Sequence, residues 1–257
     1  MQERQIEVKN LKINYKVFGN PAQGKTLLVL HGWPSKSDRW IKVAELLAVQ
    51  NIQIIVPDLP GFGESQEPAA AWTINQYVEW LHEFVQSVPE LGQGFHLAGH
   101  SFGGALAAKY AIQYNQHIKK LFLISAACVR SRTAAKKMWH RLAKMGKVLA
   151  FLPYYELGRK AFYKFIIRKS DYPNISPSMR QTYLNVISDD LSQGLFFIKV
   201  PTIIIWGDKD ESTPLEQAKF IQSKISGSQL IIIPGGTHAL QLGNPELLAQ
   251  RIAENIV

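Results

Sequence analysis

Gly99-His100-Ser101-Phe102-Gly103 places a serine between two glycines in the pattern G-x-S-x-G. The preceding apolar run at 95–98 suits a buried strand, and residues 104–110 are rich in helix formers. A serine on such a strand-to-helix turn has an exposed hydroxyl and a strained backbone, beside a helix N-terminus that favours negative charge. We therefore predict that Ser101 is a nucleophile; an ordinary Gly-Ser turn is the alternative interpretation.

A serine hydroxyl needs a general base, and the base needs a carboxylate that holds its tautomer. After a strand-turn-helix serine of this kind, the expected order along the chain is Asp or Glu and then His. His238 follows the apolar run 230–233 on a loop, which is where such a base is expected. His117 and His140 also follow the serine, but their surroundings favour surface positions. His238 is therefore the predicted base.

Two aspartates compete for the role of the acid. Asp208 and Asp210 both follow the apolar run at 202–206. Asp210 is favoured because it lies on the turn past the strand, whereas Asp208 directly at the strand end is typical of a turn-forming residue. A helix start is predicted just beyond, with Thr213 as the cap, Pro214 at the first position and Glu216 completing a capping box.

An oxyanion hole needs two backbone N–H donors. The first is predicted at Phe102, directly after the nucleophile. The second is predicted at Trp33, in the His31-Gly32-Trp33 loop that follows the apolar run 26–30. Gly32 allows close approach, and His31 is interpreted as a histidine that packs the loop. The candidates for the lining of the substrate pocket are His31, Gly32, Trp139 and Phe162.

With these motifs the chain resembles the α/β-hydrolases. Asp58–Ser65 (DLPGFGES) is similar to the D-x-x-G-x-G-x-S segment typical of that family, and Trp206–Asp210 (WGDKD) resembles its W-G-x-x-D acid loop. The resemblance covers nearly the whole chain apart from a middle insertion. It implies an α/β fold with a mostly parallel central sheet, helices on both faces and an inserted helical cap. Some sister subfamilies use an aspartate at the position of Ser101, whereas hydroxynitrile lyases and cofactor-free haloperoxidases keep a Ser-Asp-His set.

Apolar and amphipathic runs give the expected organisation. A hairpin is predicted over 5–18, and a helix is predicted to begin at Thr73 with a capping box. Another helix follows Asn244-Pro245. Buried strands are predicted near 26–31, 53–58, 95–100, 120–127, 202–207 and 229–233. The hydrolase core is therefore expected to comprise residues 1–128 and 200–257, with a helical cap at 129–199.

The predicted cap carries the excess positive charge. Residues 129–199 contain 14 Lys or Arg and 4 Asp or Glu, whereas the remainder contains 15 and 16. One amphipathic stretch has a basic face formed by Arg132, Lys136, Lys137, Arg141, Lys144 and Lys147. This face is either a solvated surface or a weak contact for an anionic membrane or an acidic carrier. Nucleic acid is not expected as a partner, because no known binding motif accompanies the charge.

Other features narrow the function classes. The single Cys128 cannot form an internal disulfide, and residues 1–10 lack the apolar core of a signal peptide, so a cytoplasmic protein is expected. Neither a cofactor nor a metal is expected, because no ligand cluster has metal spacing. The sequence predicts a serine hydrolase acting on a small or medium apolar carboxylic ester. The alternatives are a C–C bond hydrolase, a thioesterase or an acyltransferase, and, from another class, a small-molecule receptor derived from a hydrolase.

Overall fold

The computed structural model describes residues 1–20, 25–130 and 175–256. Within these residues one sheet has the strand order β1-β2-β4-β3-β5-β6-β7-β8. The strands are β1 (Gln2–Val8), β2 (Leu11–Phe18), β3 (Thr26–Leu30), β4 (Gln53–Pro57), β5 (Phe95–His100), β6 (Ile118–Ile124), β7 (Thr202–Gly207) and β8 (Gln229–Ile233). β2 pairs antiparallel with β1 and β4, and the remaining pairs are parallel. The predicted α/β fold with a mostly parallel sheet is confirmed.

Helices cover both faces of this sheet. The described helices of four or more residues with α geometry are α1 (Ile41–Ala48), α2 (Ile74–Ser87), α3 (Phe102–Gln113), α4 (Pro177–Ser188), α5 (Leu215–Lys224), α6 (Leu240–Gly243) and α7 (Pro245–Ala253). Side chains alternate between the faces along β2. Tyr15 packs edge-to-face on Phe84 of α2 with ring centroids 5.7 Å apart, whereas Phe18 shares a core with Leu47 of α1 and Leu248 of α7. α2 therefore lies on the face opposite to α1 and α7.

The predicted hairpin is present, but its polar residues are not all at the surface. Lys16 is buried, and its charged amino group has partners that replace water. The Nζ lies 2.9 Å from Glu3 Oε1 and 3.0 Å from Asp38 Oδ1, and it also donates to the Ser37 hydroxyl. Asn14 is buried as well. Because β2 is an interior strand between β1 and β4, these two buried polar side chains are paired, whereas Lys12 at its start is exposed.

Residues Met1–Val129 and Pro177–Val257 form one compact unit. This unit includes residues 177–199, which the sequence analysis assigns to the cap. The Trp72 N–H donates to the Thr182 hydroxyl at 2.8 Å, and the Asn185 amide donates to the Trp72 carbonyl at 3.1 Å, so α4 is tied to the loop before α2. The remainder of the predicted cap, with its basic face, lies largely outside the described residues.

Two glycines, Gly99 and Gly103, let α3 pack directly on the strands beneath it. A Cβ atom built on Gly99 would overlap the carbonyl oxygen of Gly103 and lie 2.7 Å from the Cα of Gly104. A Cβ atom on Gly103 would overlap the carbonyl oxygen of Leu30 at the end of β3. These obstacles are backbone atoms, which cannot rotate away. The first turn of α3 therefore lies at the carboxyl ends of β3 and β5 only because no side chains intervene.

Gly99→Ala should lower the free energy of unfolding by about 3 kcal/mol, the upper part of the range for overpacking a core. The added methyl would separate β5 from the start of α3. Gly92→Ala is the matched control, because a Cβ there meets nothing closer than 3.4 Å, and the change should cost less than about 1 kcal/mol. Urea denaturation of both variants measures the difference, and equal midpoints would contradict the packing argument.

Candidate active site

Ser101 occupies the sharp turn between β5 and α3. Its backbone has φ 53° and ψ −114°, a conformation that costs a non-glycine residue roughly 1–3 kcal/mol. The turn is held on both sides: the Ser101 N–H donates to the Ile124 carbonyl at 3.0 Å, and its carbonyl accepts from the Ala127 N–H at 2.9 Å. The end of β6 therefore fixes the turn that the sequence predicts for a nucleophile.

Asp210 follows β7 and is the aspartate that contacts His238. The two carboxylate oxygens lie 2.9 and 3.1 Å from His238 Nδ1, and the carboxylate has no exposed surface. It also accepts from the backbone N–H groups of Ser212 and Thr213, at 2.9 and 2.8 Å. Asp208 is exposed. Of the two competing aspartates, the structure therefore brings Asp210 to the histidine.

The surroundings of Asp210 keep its carboxyl group ionised. Burial by itself raises the pKa, but the hydrogen bonds from His238 and from the Thr213 N–H outweigh burial and lower the pKa to about 2. A buried carboxylate with this many donors is an orienting group rather than a proton acceptor.

His238 lies on the loop after β8, beside the serine turn. The His100 Nε2–H donates to the backbone carbonyl of His238 at 2.8 Å, and the two imidazole rings are 4.9 Å apart. His100 directly precedes Ser101 in the chain, so this bond fixes the His238 loop against the turn. With Nδ1 engaged by Asp210, the Nε2 atom of His238 is the ring nitrogen left to accept a proton.

The sheet explains why these residues meet. β5, β6, β7 and β8 are neighbours in this order and are parallel, so their carboxyl ends share one edge of the sheet. Ser101, Asp210 and His238 each follow one of these ends. Ligand and catalytic groups in open α/β sheets lie at that edge.

The loop after β3 approaches the same turn. A Cβ atom on Gly32 would lie 3.1 Å from the Ser101 Cβ and 2.9 Å from His100 Nδ1, so only glycine fits there without displacement. Phe102 is the first residue of α3, and its N–H has no acceptor within the helix. The Trp33 N–H makes no hydrogen bond within the described part of the chain. Both predicted oxyanion donors therefore have N–H groups without a protein acceptor in that part.

His31 braces this loop from inside. Its Nδ1–H donates to the Gly32 carbonyl at 2.9 Å, and its Nε2 accepts from the Leu59 N–H at 3.0 Å. Burial lowers its pKa, so the ring is neutral. His31 is fully buried and both of its ring nitrogens are hydrogen-bonded within the protein. Gly32 is buried as well and has no side chain. Trp139 and Phe162, the other two pocket candidates, lie outside the described residues.

The segment that resembles D-x-x-G-x-G-x-S has a supporting role. The buried Asp58 carboxylate accepts from the backbone N–H groups of Ser37 and Glu64, at 2.7 and 3.1 Å. Gly63 has φ 53°, and a Cβ atom there would overlap that carboxylate. The Ser65 hydroxyl closes the loop by donating to the Asp58 carbonyl at 2.7 Å. The motif thus fixes the loop that carries Phe62.

An aromatic group surrounds Trp33 beside the serine turn. The Trp33 ring centroid lies 4.6 Å from that of Phe62, 5.8 Å from that of Phe102 and 5.4 Å from that of Tyr183 on α4. Tyr183 is partly exposed and was not identified by the sequence analysis, because nothing along the chain shows that α4 reaches Trp33. These rings form an apolar wall.

The prediction that Thr213 caps the next helix is wrong. The sequence analysis makes it the cap of the next helix with a capping box to Glu216, but α5 begins at Leu215 after Pro214, without a side-chain cap. The Thr213 hydroxyl instead lies 2.8 Å from Asp210 Oδ2. The Thr-Pro pair correctly signals a helix boundary, but the hydroxyl donates to the carboxylate instead of accepting from a helix N–H.

The fold and the serine turn are those of an α/β-class hydrolase. A family model described as the alpha/beta hydrolase fold matches residues 25–245, and the chain belongs to this family. Lipase 1 of Psychrobacter immobilis is 28% identical over 261 residues, covering 91% of this chain and 78% of that protein. Monoacylglycerol lipase ABHD6 of Homo sapiens is 24% identical over 279 residues, covering 99% and 82%. An esterase structure from Exiguobacterium antarcticum is 23% identical with a TM-score of 0.78, covering 99% of both chains.

The described residues contain neither a metal-binding cluster nor a membrane-spanning helix. Among them, no group of three or more His, Cys, Asp or Glu side chains is arranged to hold a metal ion. No described helix combines the length and the apolar character needed to cross a bilayer.

Acidification should destabilise the protein through its buried histidines. Burial lowers the pKa of His96 to about 4 and, with the nearby His238, that of His100 to about 3, from 6.5. The unfolded chain therefore binds more protons than the native chain between these values. The free energy of unfolding should fall by about 1.4 kcal/mol per pH unit for each histidine between about pH 6 and pH 4.

Urea denaturation at several pH values measures this slope. His100→Gln should lower the slope by about 1.4 kcal/mol per pH unit, because glutamine does not titrate and its amide keeps a donor for the His238 carbonyl. His117→Gln is the control at an exposed histidine and should leave the slope unchanged. An unchanged slope in His100→Gln would show that other groups set the acid sensitivity.

Proposed function

We propose that this hydrolase cleaves carboxylic esters of small or medium apolar substrates through an acyl-enzyme on Ser101. The observation that carries the proposal is the Asp210–His238 pair, with 2.9 Å between Oδ2 and Nδ1, anchored through His100 to the strained Ser101 turn. A nucleophile, a base and a buried carboxylate at one sheet edge are the components of acyl transfer.

The proposed reaction has two halves. The Ser101 Oγ attacks the acyl carbon while His238 Nε2 takes its proton, and the tetrahedral oxyanion is held by the N–H groups of Trp33 and Phe102. His238 then gives the proton to the leaving alcohol. In the second half, His238 deprotonates a water that attacks the acyl carbon, and the acid leaves as Ser101 regains its proton. Asp210 stays ionised and stabilises the charged imidazole.

The preference for an apolar acyl group is supported by the wall around Trp33, which Phe62 and Tyr183 complete. The relatives named as lipases point to the same substrate class. A small-molecule ester is therefore the proposed partner. The cytoplasmic location and the contact of the basic face with anionic membranes or an acidic carrier stay predictions from the sequence.

Ser101→Ala should abolish hydrolysis of p-nitrophenyl esters, with kcat/KM falling by several orders of magnitude, because no acyl-enzyme can form. A fluorophosphonate probe should label the wild type at Ser101 and leave the variant unlabelled. Circular dichroism controls for folding. Rapid turnover in the alanine variant would exclude Ser101 as the nucleophile, and a wild type that labels but releases product only once would favour the receptor alternative.

The two aspartates provide a matched pair. Asp210→Asn should reduce kcat by roughly 10³- to 10⁴-fold, because His238 loses the charge that orients it and stabilises its protonated form. Asp208→Asn removes the same charge two residues away on an exposed turn and should cost less than tenfold. Steady-state kinetics on one ester measures both. The reverse ranking would place the catalytic acid at Asp208.

A further inference from the structure

The Thr213 hydroxyl lies beside both the proposed acid and the proposed base. Its Oγ1 lies 2.8 Å from Asp210 Oδ2, 3.2 Å from His238 Nδ1 and 3.3 Å from the Ser125 carbonyl oxygen. The side chain is buried. One hydroxyl thus contacts the carboxylate, the imidazole and the loop after β6.

The donors and acceptors at this hydroxyl have one consistent arrangement. A threonine hydroxyl has one proton and two lone pairs. Asp210 is ionised and offers the shorter contact, so the proton points to its Oδ2 in a charge-assisted bond. A lone pair of the hydroxyl then faces His238 Nδ1. The same nitrogen also contacts both carboxylate oxygens of Asp210.

We infer that Thr213 is a positioning residue for the Asp210–His238 pair. Its hydroxyl fixes the rotation of the carboxylate that contacts Nδ1. The proton of neutral His238 is therefore held on Nδ1, which leaves Nε2 unprotonated. Thr213 touches neither substrate nor the reacting atoms in this scheme and acts through Asp210. The kinetic part of the inference rests on the proposed function.

The competing explanation is a structural role. The Thr213 carbonyl accepts from the Trp206 indole N–H at 2.7 Å, and the hydroxyl bond to Ser125 joins two loops. Thr213→Val removes the hydroxyl and preserves the branched shape and the backbone carbonyl. Thr213→Ser keeps the hydroxyl and removes a methyl. The two variants together separate the hydroxyl from the packing.

A double-mutant cycle with Asp210→Asn tests the inference on a p-nitrophenyl ester. Thr213→Val should lower kcat about tenfold, the equivalent of one hydrogen bond, with KM changed less than twofold. Thr213→Ser should retain at least half of the wild-type kcat. In the Asp210→Asn background, Thr213→Val should cost less than twofold, because the carboxylate through which it acts is gone. A tenfold loss in both backgrounds would show a structural role and overturn the inference.

Proton NMR gives a readout that does not depend on activity. The Nδ1 proton of His238 should appear as a downfield signal, assigned by its loss in His238→Asn. It should persist in Thr213→Ser and broaden or move upfield in Thr213→Val. An unchanged signal in the valine variant would refute the positioning role. If the wild type hydrolyses no ester but the signal responds as expected, the proposed function fails while the inference stands.

Discussion

The arrangement of the site depends on the contact between the start of α3 and the strands beneath it. Gly99 and Gly103 let backbone approach backbone, and the turn between them then places Ser101 at a positive φ. Such a conformation persists only where its surroundings over-determine it. Here the Ile124 carbonyl and the Ala127 N–H hold it from the end of β6. The same close packing brings Gly32 to the serine, so the proposed nucleophile and the loop of a proposed oxyanion donor are fixed by one set of contacts.

Around this turn the protein combines the buried charge of Asp210 with neutral histidines. Asp210 is held ionised by its hydrogen bonds, whereas burial keeps His31 and His100 neutral. These two histidines are used as hydrogen-bonding braces, His31 for the Gly32 loop and His100 for the His238 loop. A histidine beside a catalytic serine is thus not in itself evidence of proton transfer. Its partners and its burial decide which role it has.

The Asp58–Ser65 motif also acts as a structural brace, and it lies further from the serine turn. The Asp58 carboxylate accepts from the N–H groups of Ser37 and Glu64, and the Ser65 hydroxyl donates to the Asp58 carbonyl. The loop places Phe62 beside the site, where its ring centroid lies 4.6 Å from that of Trp33. A family motif can therefore be highly informative about the fold while its polar residues take no part in the chemistry.

The sequence by itself determined the strands β3 to β8, the helix boundaries after Thr73 and Asn244, and the residue types that are proposed to act at the sheet edge. These features are local: apolar runs, glycines at a turn and the order Ser, Asp, His all lie within short windows of the chain. Only the tertiary structure decided that Asp210 rather than Asp208 reaches His238, that Thr213 turns to the carboxylate instead of capping α5, and that Tyr183 meets Trp33. Each of these contacts joins separate loops or competes with a local alternative, and its outcome depends on distances that the parallel sheet sets between neighbouring strand ends.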